Sequence, residues 1–307
     1  MKNKSFYMLG LVTLFALLAG SLSAAEKLKI VASFLPMYAH TKSIVGELAE
    51  VQMLIGSDAE PHDYQFKPSD VKKIAAADLF VINGAGLEEW LGDLLKKAGG
   101  KKLRVVDTSA GIELLDNAEA FFTGSAADEE EEEHEHGEKN PHVWLDPVLA
   151  RRQVQNILAA LTASDPKNAA AYKKNADTYL EKLHELDESF RLALTVKFEK
   201  RLVTFHDAFP YLAKRYGFVY LGCITQFPGQ DPKPRDLQAL VQAINKHGVK
   251  VIFAENGYSP KLLEEVARQT GAKAGVLDTL EIGAPSADAY LVRMRKNLAA
   301  LGKVWKK

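Results

Sequence analysis

Three histidines and one acid fall where an α/β protein would place ligand-binding side chains. His62 lies in "GSDAEPHDYQFKPSD", a short loop beyond the apolar run "VQMLI". His206 ends the run "RLVTFH", and Asp278 ends the run "AGVLD". His142 lies in "NPHVWLDP", ahead of a helix that Asp146 would cap with Pro147 in its first turn. Open parallel sheets bind ligands beyond the carboxyl ends of their strands. Three neutral imidazoles and a carboxylate form a tetrahedral donor set suited to Zn²⁺. Mg²⁺ and Ca²⁺ favour oxygen cages instead. Any one of these histidines alone reads as an ordinary loop residue, so their common placement carries the inference. The chain has no HExxH and no CxxC motif.

A second cation-attracting feature is the tract "DEEEEEHEHGE" at 128–138, with eight acids and two histidines in eleven residues. His134 and His136, flanked by Glu133 and Glu135, form a low-affinity collecting loop in this reading, solvated sequence being the alternative. So charged a segment has no apolar side chains to join a core. His40, His184 and His247 stand beside Lys or Glu in helical or turn segments and are expected at the surface.

The elements that must position these groups are legible as alternating runs. In the first half, 28–33, 51–55, 79–84 and 104–107 read as buried parallel strands separated by amphipathic stretches. The second half repeats this with 201–207, 219–224, 249–255 and 274–278. Strand–helix alternation in both halves predicts an α/β protein of two lobes, each with a parallel sheet flanked by helices. Two of the four candidate ligands come from each lobe, so the site would lie between them. From 165 to 200 the chain has no glycine and one proline, and Tyr172, Ala176, Leu180, Leu183, Leu186, Phe190 and Leu194 form an apolar stripe. One long rigid helix is expected there, which would make wide hinge closure unavailable.

The expected organisation is a signal peptide at 1–25, an N-terminal lobe at 26–164 with the acidic loop at about 116–139, the linking helix at 165–200 and a C-terminal lobe at 201–307. The signal reading rests on "MKNK", an apolar run and "SLSAA", with cleavage after Ala25 or one or two residues earlier. No cysteine near that point offers a lipid attachment site, so a soluble periplasmic protein is expected. Net charge is −1, which gives no reason to expect a nucleic-acid partner. Without the signal and the acidic tract, the remaining chain carries 37 basic against 32 acidic residues, so the acidity is local. The lone Cys223 excludes an intrachain disulfide and reads as a small buried hydrophobe.

Five segments, "PHDYQFKPSD", "NGAGLEEWL", "NPHVWLDP", "FHDAFPYLAKRYG" and "GVLDTLE", occur in one order. In this the chain resembles the metal-binding proteins of bacterial ABC importers, and most closely their periplasmic zinc-uptake members, over nearly its whole length. The resemblance implies a non-enzymatic, monomeric carrier that captures zinc and delivers it to an inner-membrane permease. It implies His62, His142 and His206 as ligands and Asp278 as the fourth, with Glu60 the alternative carboxylate. Histidine at 206 is like the zinc members, manganese members having glutamate there, and the acidic insert is like their zinc-specific loop. A manganese or iron importer is the alternative within the class, and a zinc hydrolase the alternative outside it. Zinc binding is expected to weaken as pH falls through the histidine range near about 6.5.

Overall fold

The computed structural model describes residues 26–99, 103–117, 139–195, 200–225, 234–255 and 260–305. The expected signal segment and the acidic tract with His134 and His136 lie outside the described residues. No helix among the described residues is long and apolar enough to cross a membrane.

All eight expected strands are present, in two parallel sheets. The first contains β1 (Lys29–Ala32), β2 (Glu50–Met53), β3 (Leu79–Ile82) and β4 (Arg104–Asp107) in the order β2-β1-β3-β4. The second contains β5 (Lys200–His206), β6 (Phe218–Thr225), β7 (Val251–Glu255) and β8 (Lys273–Leu277) in the order β6-β5-β7-β8. The two orders are topologically equivalent, and each places a switch point beside its first strand.

The period-two alternation of a strand sends its neighbours to opposite faces. Ile30, Ala32, Leu79 and Val81 join one large core, while Val31, Phe80 and Ile82 pack outward with Ile74 and Leu94. Those two lie on α2 (Pro68–Ala75) and α3 (Leu91–Ala98). The second sheet behaves likewise. Leu202, Val251 and Phe253 join that same large core, and Val203, Phe205 and Ile252 pack with Leu240 and Val266. These come from α7 (Pro234–Lys246) and α8 (Pro260–Thr270). The inner faces of both sheets therefore share one hydrophobic cluster.

Helices α1 (Leu35–Val45), α4 (Pro147–Ser164), α5 (Ala169–Ala193) and α9 (Ala289–Trp305) fill the space between. The linking helix is shorter than the 165–200 expected: a 3₁₀ turn at Pro166–Asn168 precedes it, and residues 196–199 lie outside the described set. Asp165 accounts for the late start. Its carboxylate accepts bonds from Asn168 Nδ2 and Tyr172 Oη, both at 2.7 Å, and not from the N–H groups of the first turn. At 25 residues, α5 is about 38 Å long. Its stripe of Tyr172, Ala176, Tyr179, Leu183, Leu186 and Phe190 is buried against α1, α4 and α9.

His40 departs from expectation. It is fully buried on α1, with Nδ1 3.0 Å from Tyr179 Oη and its ring beside Tyr290. A lysine two residues on made the stretch look exposed, but the helix turns that lysine outward and His40 inward. Cys223 is a free, buried thiol.

Candidate metal centre

Each histidine is delivered by a different local device. His206 ends β5, and its backbone N–H donates to the Glu255 carboxylate at the end of β7, at 3.2 and 3.3 Å. Glu255 thus holds the end of β5 through its backbone. His142 begins the 3₁₀ turn Val143–Leu145, after which Asp146 caps α4 by accepting from the Val148 and Leu149 N–H groups. Behind it, Asn83 Nδ2 donates to Pro141 O at 2.9 Å. The tight turn at Asn83 is held by Glu88, whose carboxylate accepts the N–H groups of Asn83 at 2.8 Å and Gly84 at 3.0 Å. This explains the "NGAGLEEWL" segment as a support for the His142 loop. His62 sits in the loop after β2, pinned where Trp90 Nε1 meets Pro61 O at 3.3 Å.

Asn140 links the lobes beneath the site. Its Oδ1 accepts from the backbone N–H of His142 and from His142 Nδ1, both at 3.0 Å. Its Nδ2 donates to Asp207 O at 2.7 Å and Oδ2 at 3.0 Å. With Nδ1 holding the ring proton, His142 Nε2 presents a lone pair to the cleft. Asp207 joins this buried network, also accepting from Tyr220 Oη.

The structure brings His62, His142 and His206 together, with donor atoms within 4.8 Å of one another. It does not bring Asp278. Arg293 takes both Asp278 oxygens, whose Oδ1 also accepts the Leu280 N–H. The carboxylate facing the histidines is Glu281, three residues on, with Oε1 3.1 Å from His62 Nε2 and 3.3 Å from His142 Nε2. His62 Nε2 and His142 Nε2 are themselves 3.2 Å apart. Donors bound tetrahedrally to zinc at about 2.0–2.1 Å would lie roughly 3.3 Å from one another. These three atoms thus already form one face of such a tetrahedron. His206 stands beside it, with ring centroids 4.8 Å from His142 and 5.5 Å from His62. Neither of its buried ring nitrogens has a hydrogen-bond partner among the described residues. Two bare nitrogens at a fully buried position are costly unless a ligand takes one.

The electrostatics agree. Burial pushes His206 well below the ordinary imidazole range, helped by His142, with Glu281 opposing. Burial also lowers His142 against the pull of Glu281. Both rings are therefore neutral donors. Burial works against ionising Glu281, but the closeness of the His142 and His62 rings outweighs it and holds the carboxyl well below its usual value. Glu60, also grouped with His62 and Glu281, is pushed up to about 9, first by burial and then by the charge of Glu281. One carboxylate is charged and the other holds its proton, the expected division where two acids share a low-dielectric site.

Two α/β lobes on a shared core, with a His₃–carboxylate cluster between them at the strand ends, define a metal-binding solute-binding protein. The chain belongs to the ZnuA family, the periplasmic component A of zinc-uptake complexes, whose family model matches residues 30–304. It is similar to the high-affinity zinc uptake system protein ZnuA of Bacillus subtilis, with 39% identity over 283 residues, 91% of this chain and 88% of that one. It is 34% identical over 315 residues to zinc-binding protein AdcA of Streptococcus pyogenes serotype M3, matching 98% of itself but spanning only 61% of that longer relative. Among solved structures, the Zn(II)-bound ZnuA-like domain of Streptococcus pneumoniae AdcA superposes with a TM-score of 0.75 at 33% identity, over 92% of this chain and all of that one. Family members are extracytoplasmic solute-binding proteins that work with ABC transporter components, and they carry metal without catalysis.

Proposed function

We propose that this chain captures one Zn²⁺ ion in the periplasm with high affinity, after loss of residues 1–25, and delivers it as a monomer to an inner-membrane ABC permease. The ligands in this reading are His62, His142, His206 and Glu281. Glu281 replaces Asp278, because Arg293 occupies both Asp278 oxygens. Glu60, grouped with His62 and Glu281, is the alternative carboxylate. The observation that carries the reading is the triangle of 3.1, 3.2 and 3.3 Å among His62 Nε2, His142 Nε2 and Glu281 Oε1 beside the unpartnered His206 ring. Imidazole-rich coordination favours zinc over the hard divalent ions. His134 and His136, with Glu133 and Glu135, would act ahead of this site as a weak collector.

The test is a competition titration of metal-stripped protein spanning residues 26–307, with Zn²⁺ and Mn²⁺, beside a version lacking 128–138. One tight zinc site that survives the deletion and outcompetes manganese is the expected result. Equal manganese affinity, or loss of the tight site with the tract, would overturn the assignment.

A further inference from the structure

The segment that carries Glu281 is tied down on both sides by one arginine. Arg293, on α9, donates through Nε and Nη2 to the two Asp278 oxygens, and through Nη1 to Ile282 O at 2.6 Å. Asp278 extends the grip: its Oδ1 accepts the Leu280 N–H at 2.8 Å, and its backbone N–H and C=O pair with the Asn297 amide at 2.8 and 2.7 Å. From the other lobe, Trp144 Nε1 donates to Thr279 O at 2.7 Å. The backbone is thus held at 278, 279, 280 and 282, and Glu281 is left to project into the cleft.

Two backbone features show that this turn is imposed. Leu280 has φ +64°, a conformation that L residues adopt only when their surroundings enforce it. Gly283 has φ +147°, and a Cβ there would sit 2.5 Å from Arg293 Nη1. Only glycine lets the guanidinium come this close. The ion pair is largely sheltered, with the two side chains 18% and 16% exposed, so solvent screens it less than a surface pair.

We propose that Arg293 is a positioning residue for ion capture: clamped to Asp278 and Ile282, it fixes the turn that aims Glu281 at the three histidines. This rests on the reading of Glu281 as the fourth ligand. Arg293 itself touches no ion. Its planar, bidentate fork is what the geometry uses, so lysine is a poor substitute.

The test is zinc competition titration of the wild type, Glu281→Gln, Arg293→Gln, Arg293→Lys and the Glu281→Gln/Arg293→Gln double variant, with far-UV circular dichroism as the folding control. Arg293→Gln is expected to weaken zinc binding by about 10–100-fold, the range for groups that orient metal ligands. Arg293→Lys should recover only a minor part. On the Glu281→Gln background, Arg293→Gln should cost less than about twofold more, since its effect passes through a carboxylate already removed. A wild-type affinity for Arg293→Gln while Glu281→Gln is weakened would overturn the clamp and leave the ligand set standing. So would an Arg293→Gln loss that recurs in full on the Glu281→Gln background. Wild-type affinity for Glu281→Gln would overturn the fourth ligand and the clamp together. Should Arg293→Gln not fold, Asp278→Asn breaks the same pair from the other side, and the same comparison with Glu281→Gln decides.

Discussion

Asn140 touches no ion in the proposed site, yet two of its bonds fix the backbone and ring of His142 and two more reach Asp207, beside His206. Asn140→Ala should therefore lower zinc affinity by about 10–100-fold with the fold retained. Competition titration checks this, and an unchanged affinity would mean that the ring is held well enough by its surroundings. His62 and His206 were legible because they stand just beyond or at the end of strand-like runs, which parallel sheets gather on one edge, and His142 because it stands just ahead of the capped helix start at Asp146. Glu281 was not. The rule that points to strand ends stops at the first acid, Asp278. What disqualifies that acid is Arg293, fifteen residues on in a helix, and nothing local in the sequence ties the two together. The quoted segment "GVLDTLE" already contained both acids, but their division of labour needed the turn at Leu280.

Among the elements, α1, α5 and α9 meet at His40, whose Nε2 has no partner among the described residues. Burial lowers its pKa to about 3, against about 6.5 in an unfolded chain. As pH falls below 6.5 the unfolded state takes up this proton and the folded state does not. Stability is thus full above about 6.5 and declines toward pH 3, at up to about 1.4 kcal/mol per pH unit from this group. Urea unfolding at pH 7, 6 and 5 should show a shallower decline for His40→Gln than for the wild type. Parallel slopes would mean that the ring is not held neutral. Strand positions were legible because eight short apolar runs alternate with amphipathic ones. The start of α5 falls later than the expected 165 because Tyr172 and Asn168 claim the Asp165 carboxylate, a pairing that only the fold reveals.

At the scale of the whole molecule, Leu79 of the first sheet and Phe253 of the second belong to one buried cluster with the helices between them. The lobes should then unfold together. Calorimetry of the metal-free protein is expected to give one cooperative transition, which zinc raises by stabilising the native state by about 4 kcal/mol at a thousandfold excess over Kd. Two resolved transitions, with only one responding to zinc, would show the lobes to be independent. The sharing of a core could not be read from the chain, since each strand's pattern says which residues are buried but not against which sheet. The burial of the site is uneven: the His142 and Glu281 side chains are each 2% exposed, His206 is sealed, and His62 is 9% exposed. His62, on the loop beyond β2, is the candidate ligand that still meets solvent, so it is where an incoming ion would first leave water. Arrival and departure are then matters of timing at one loop, so two proteins with equal grip on the ion can differ widely in how long they keep it.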